Sequence, residues 1–181
     1  FTDLGDRIVA KAMDDRVGIA ILIELLKNAK TGPNQIVGVF TTQEEVGTRG
    51  AASAAFGVMP DIGIAIDVTI TGDTPNANLM EVALGKGPAI KIKDSGMISD
   101  PKVVKWMVET ATHAKIPFQR EILAAGWTDA KAIQVSRDGV PAGCISIPCR
   151  YVHSPSEMID INDVTNAIKL LSNLVSKTIS I

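Results

Sequence analysis

Val37-Gly-Val-Phe-Thr-Thr-Gln-Glu-Glu-Val-Gly-Thr-Arg-Gly50 joins a strand pattern, two adjacent carboxylates and a glycine-punctuated turn in one short stretch. Ile36, Val37, Val39, Phe40 and Thr41 are β-branched or aromatic, which predicts a strand over 36–41. The small apolar residues Ala51 to Phe56 follow the Gly47–Gly50 turn and read as a helix. Strand, turn and helix in that order are the unit of an α/β sheet. In open sheets of this kind, sites lie just beyond the carboxyl ends of strands. Glu44 and Glu45 fall at that position. Two carboxylates there repel each other, and they persist best when a cation or a shared proton absorbs the charge. The plain alternative is a solvated pair favoured by the dipole of the following helix.

Upstream, Leu4 to Ala10 reads as a turn and a short strand, and Lys11 to Arg16 as a polar link into a helix. That helix is expected over Arg16 to Ala29. Val17, Ala20, Ile21, Ile23, Leu25 and Leu26 supply its apolar face, and Gly32-Pro33 closes it. Asp14 and Asp15 stand at its N-terminus. Capping accounts for one such acid better than for two.

Downstream, Asp61-Ile-Gly-Ile-Ala-Ile-Asp67 is a continuous apolar run, the pattern of a strand buried on both faces. It closes on Asp67, either a site residue or a turn cap. After a polar loop over 71–78, Ala89 to Lys93 alternates Ile90 and Ile92 with Lys91 and Lys93 as a strand. Asp100-Pro101 begins a helix that ends at Ile116-Pro117, with His113 a surface histidine near its end. A strand over Phe118 to Leu123, a helix over Asp129 to Ser136 and a strand over Ala142 to Ile147 follow. The loop Arg150 to Pro155 carries His153, and Asn162 is the expected cap of the last helix. The alternation of elements predicts a three-layer α/β/α domain with a mixed, largely parallel sheet.

Composition narrows the function classes. At 181 residues, 46% hydrophobic and 21% charged, the chain fits one globular domain. The formal charge is −2 with acids and bases interleaved, which argues against a nucleic-acid partner. No apolar run approaches the ~18–20 residues that span a bilayer, so no membrane partner is expected. Cys144 and Cys149 lack the spacing of zinc-thiolate or redox pairs and read as free thiols of a cytoplasmic protein.

Asp14 precedes a helix, while Glu44, Glu45, Asp67 and His153 lie at or just after strand ends, so one edge of a sheet could gather all five. One histidine among several carboxylates suits Zn²⁺, Co²⁺ or Mn²⁺. Were two ions to sit roughly 3.5–4 Å apart, one carboxylate would bridge them and another would stay free to move protons.

These residues lie in motifs that resemble a known family. The motifs are Ala12-Met-Asp14-Asp15-Arg-Val-Gly18, Thr42-Gln-Glu44-Glu45-Val-Gly-Thr-Arg-Gly50 and Ala65-Ile-Asp67-Val-Thr69. Gly85-Lys-Gly-Pro88, Trp127-Thr128-Asp129-Ala130 and Ile147-Pro-Cys-Arg150-Tyr-Val-His153-Ser-Pro-Ser-Glu157 complete the set. The chain resembles the cocatalytic metallo-aminopeptidases that include glutamyl, deblocking and tetrahedral aminopeptidases, some of whose relatives carry an endoglucanase label. The resemblance implies two divalent ions, Zn or Co, with Asp14 bridging them, Glu45 and His153 on the second and Asp67 on the first. It makes Glu44 the general base that shuttles a proton to the leaving amine. Thr128, Asp129 and Arg150 would line the substrate side, and the Asp14–Asp15 peptide would be cis. Peptides would be the substrates, and the full-length protein a homo-oligomer.

One departure stands out. The family's first metal also takes a His from an upstream His-x-Asp motif, and His113 and His153 are the only histidines here. On the resemblance, residues 1–181 are expected to be the C-terminal part of one catalytic domain, without the N-terminal portion and an inserted dimerisation domain. Two other readings stay open: a glycosidase built on paired carboxylates, and a metal-binding or assembly fragment without turnover.

Overall fold

The computed structural model of the chain describes residues 1–30 and 32–181. Twelve elements follow in the order β1 (Thr2–Asp3), β2 (Arg7–Ala10), α1 (Met13–Asn28), α2 (Arg49–Val58), β3 (Gly63–Thr69) and β4 (Ala89–Lys93). Then come α3 (Pro101–His113), β5 (Gln119–Ile122), α4 (Ala130–Gln134), β6 (Ala142–Arg150), β7 (Glu157–Asp160) and α5 (Ile161–Val175). The sheet runs β1-β2-β7-β6-β4-β5, with β3 also paired to β6.

β6 is the spine of the sheet because its residues Ala142 to Cys149 are all buried, as a strand covered on both faces must be. Ile145 and Ile147 join Ile90 of β4 in the main core. There they meet Ile21 and Leu25 of α1, Val103 and Met107 of α3, and Leu170 and Leu174 of α5. On the other side Cys144 packs with Ala65, Met97 and Ala130, under α4. The three-layer α/β/α architecture read from the sequence is the one found.

The expected parallel majority is not. β3 with β6 and β4 with β5 are parallel, but β1/β2, β2/β7, β4/β6 and β6/β7 are antiparallel. Two of these four antiparallel pairs come from β7, to which the sequence reading assigned no element. It follows β6 after the six residues 151–156, a hairpin connection that can only return antiparallel. Its four residues are too few for alternation to announce a strand.

The strand expected over 36–41 does not form either. These residues take no regular secondary structure, and Val37, Val39 and Phe40 are exposed. Propensity alone does not make a strand, which needs a neighbour's backbone to pair with. Two boundaries also move. β6 extends to Arg150, and α5 is capped by Asp160, whose carboxylate accepts the Asn162 N–H at 2.9 Å, so Asn162 is inside the helix.

Candidate metal centre

Three elements end at one point. β2 leads through Ala12, in the left-handed region at φ 56, to Asp14 at the mouth of α1. Asp14 and Asp15 are non-helical, and the peptide between them is cis, as the resemblance implied. The Asp15 carboxylate turns back to accept the Gly18 N–H at 3.1 Å. A Cβ on Gly18 would lie 2.1 Å from Asp15 Oδ2, so only glycine leaves room for that turn.

The second contributor is the turn over 42–50. Gly47 and Thr48 N–H both donate to the Glu44 carbonyl at 2.9 Å, and Gly50 N–H donates to the Thr42 carbonyl at 2.9 Å. A Cβ on Gly50 would sit 2.5 Å from that same carbonyl oxygen, which explains the glycine there. The third is the hairpin between β6 and β7, where Tyr151 (φ 60) and His153 (φ 62) are both left-handed.

These three segments bring one imidazole and two carboxylates together. His153 Nε2 lies 3.1 Å from Asp14 Oδ2 and 3.5 Å from Glu45 Oε2. One ligand atom from each residue falls within 4.8 Å of the others. Asp14 is largely buried, while His153 and Glu45 are exposed.

Asp67, Glu44, Asp129 and Asp15 do not join that trio but line, with Asp14 and Glu45, a cavity of about 840 Å³. Burial is the largest cause pushing Asp14, Asp15, Glu44, Asp67 and Asp129 up, and neighbouring carboxylates add to it for the first four. Asp14 rises to about 6, through burial and Glu45, with His153 opposing. Glu44 rises to about 7, through burial and then Asp129 and Glu45. Asp15 rises to about 8 by burial, and Asp67 lies well above the carboxylate range through burial beside Asp15 and Asp14. So much unrelieved negative charge is the environment that a divalent cation would neutralise. Glu44 Oε1 is buried with no hydrogen-bond partner among the described residues. The donor set and this orphaned oxygen both fit a metal ion with a proton-moving group beside it.

The other expected site residues separate. Asp129 lies in the cavity wall, where it accepts the Thr41 hydroxyl at 2.5 Å and leaves Oδ1 unpaired among the described residues. Thr128 is 2% exposed, and its hydroxyl accepts the Ala130 N–H at 3.4 Å at the start of α4. Arg150 is not among the cavity-lining residues. Its guanidinium grips Asp73 with two bonds, Nε–Oδ1 at 3.0 Å and NH2–Oδ2 at 2.8 Å, and Leu84 N–H adds a third at 3.0 Å. Burial raises the Asp73 pKa, but the Arg150 guanidinium, the Thr71 hydroxyl and the Leu84 N–H together hold it well below the carboxylate range.

A depressed folded-state pKa contributes stability above the unfolded value of roughly 4, and loses it as pH falls below that value. The melting temperature of wild type should therefore exceed that of Asp73→Asn by more at pH 6 than at pH 3, the buried acids with raised pKa values being common to both proteins. An Asp73→Asn variant with the wild-type pH dependence would show that the pair contributes nothing.

Sequence reasoning missed one acid. Glu157, 2% exposed, accepts the Asp14 N–H at 3.1 Å and the His153 N–H at 2.8 Å. Its signal was a charged residue opening the run Glu157-Met-Ile-Asp160, legible only once that run is known to be an inner strand.

The family model described as M42 glutamyl aminopeptidase matches residues 1–170. A provisionally named aminopeptidase of Acetivibrio thermocellus is 52% identical over 167 residues, covering 92% of this chain and 51% of that protein. An aminopeptidase structure from the archaeon Desulfurococcus kamchatkensis superposes with a TM-score of 0.94 at 41% identity, covering 97% of this chain and 50% of that one. The TET1 peptidase of Pyrococcus horikoshii, described as assembling into a tetrahedron or a large octahedral shell, superposes with a TM-score of 0.81 at 31% identity. Coverage there is 97% of this chain and 52% of that one. The chain spans about half the length of the curated relatives it matches.

Proposed function

Since the chain belongs to the M42 glutamyl aminopeptidase family, we propose that it carries the hydrolytic machinery of a metal-dependent aminopeptidase. The observation that supports this most is the meeting of Asp14, Glu45 and His153 from three separate segments within 4.8 Å. In this reading Asp14, Glu45 and His153 would hold one divalent ion, Zn²⁺ or Co²⁺, and Asp14 and Asp67 would serve a second. Such ions, when bound, supply Lewis acidity that polarises a carbonyl and acidifies water.

The chain's own residues do the rest. Glu44 lies next to a ligand in sequence, and its Oε1 is free to accept a proton. It takes that proton from the water as the new C–O bond forms at the carbonyl carbon, and gives it to the amine nitrogen, after which the peptide C–N bond breaks. Asp129, in the same cavity wall, is placed to meet the substrate. The glycosidase reading has less support. Phe40 is the one aromatic among the cavity-lining residues, and Asp14 and Glu45 converge on a shared imidazole rather than flanking a sugar-sized gap. Assembly into a homo-oligomer is proposed by likeness to the tetrahedral peptidase.

Metal removal tests the reading. Dialysis of the full-length protein against EDTA should abolish release of the N-terminal residue from aminoacyl anilides, and Zn²⁺ or Co²⁺ should restore it. Hydrolysis that survives complete chelation would overturn the proposal.

A further inference from the structure

Glu157 occupies an unusual place in the sheet. β7 lies between β2 and β6, with Glu157 paired to Ala10 on one side and Met158 to Arg150 on the other. The two flanking strands then run on into the segments that carry Asp14 and His153. At the head of the middle strand, the Glu157 carboxylate reaches both: Oε2 takes the Asp14 N–H and Oε1 takes the His153 N–H. The two backbones it grips are held out of ordinary conformations. His153 and Tyr151 are non-glycine residues at positive φ, and Ala12 is another two positions before Asp14. Such conformations persist only where the surroundings over-determine them.

We propose that Glu157 is a positioning residue whose buried carboxylate fixes the backbones of Asp14 and His153, so that their side chains meet at one cation. This rests on the reading of those two residues as ligands. The choice of residue type supports it. Both partners are N–H donors, so the group between them must accept at both ends. A carboxylate does so, whereas a glutamine would turn its NH₂ against one of the two donors. Placing a further negative charge, only 2% exposed, among carboxylates already in excess carries a desolvation and repulsion cost that the two backbone hydrogen bonds must offset.

The fold contains a matched control. Asp163, fully buried at the start of α5, accepts two backbone N–H groups in the same way, from Gly85 at 2.8 Å and Gly87 at 2.7 Å. Glu157→Gln and Asp163→Asn therefore make the same chemical change, one beside the candidate ligands and one at the opposite end of β7.

The experiment measures Zn²⁺ affinity of the metal-free full chain by competition with a chromophoric chelator, beside the melting temperature without metal. Glu157→Gln should weaken Zn²⁺ binding by about 10–100-fold, the usual cost of disturbing the groups that orient metal ligands. Asp163→Asn should bind Zn²⁺ as the wild type does, although both variants melt lower. Equal Zn²⁺ affinity in both variants would overturn the proposal and leave the aminopeptidase reading standing. A wild-type chain that binds no Zn²⁺ would overturn both. If Glu157→Gln does not fold, hydrogen exchange on the metal-free wild type decides: the Asp14 and His153 amides should be protected, and free exchange at both would overturn the inference.

Discussion

On the proposed reading, Glu44→Gln should lower kcat of the full-length protein by about 10²–10⁴-fold, the range over which a positioned general base contributes, and should leave the bound metal unchanged. Glutamine keeps the shape of the side chain and an acceptor oxygen, so the turn over 42–50 has no reason to move. Its hydrogen bonds run through the Glu44 and Thr42 carbonyls, not through either glutamate side chain. What is lost is the ability to hold a proton at Oε1, the atom without a partner among the described residues. Glu45→Gln is the contrasting variant, because Glu45 Oε2 is one of the atoms facing His153. Metal analysis beside steady-state kinetics separates the two. A Glu44→Gln protein that lost metal but kept its turnover per ion would mean that the two glutamates have been assigned in reverse.

The second large effect lies away from the cavity, in a buried ion pair. Lys91 of β4 and Glu121 of β5 are both fully buried, and the Lys91 ammonium donates to Glu121 Oε1. The Thr69 hydroxyl donates to the same oxygen at 2.7 Å. Burial works against the ammonium, but Cys144 and Glu121 beside it lift its pKa above the ordinary lysine value. Removing one partner leaves the other stranded, so Lys91→Met should destabilise the fold by about 3–5 kcal/mol. The double variant Lys91→Met/Glu121→Leu should recover most of that loss, because the stranded carboxylate is gone. Urea unfolding of the three proteins is the measurement. A cost near zero for Lys91→Met alone would mean that solvent reaches the pair.

Lys91 also shows where a sequence stops speaking. A lysine alternating with isoleucine has the pattern of a strand with one side in water, yet Lys91 is fully buried. What buries Lys91 is β5 and its Glu121, thirty residues away, and no local pattern carries that information. The site was legible for the opposite reason. Asp14, Glu44, Glu45 and Asp67 each stand at a boundary between a periodic run and a turn, and such boundaries can be found one at a time. The structure brings Asp14, Glu45 and His153 together and sets Glu44 and Asp67 in the same cavity wall. Arg150 stood in a comparable place and faces Asp73 instead, because a long flexible side chain can leave the point where its backbone stands. Glu157 was invisible because its importance comes from sheet order.

That sheet order also fixes a sequence of events in time. β2 pairs with β7, and the Asp14 N–H bonds to a carboxylate 143 positions further along the chain. A ribosome releases residues 7–14 long before residues 153–160 exist, so β2 must wait, unpaired on that edge, for β7. Closing so long a loop is costly in entropy until the contacts it brings are made. The acids of Asp14 and Glu45 therefore stay without His153 until that residue has been made, and the cluster can close only after it. A growing chain therefore cannot bring this trio together before the hairpin between β6 and β7 has been made.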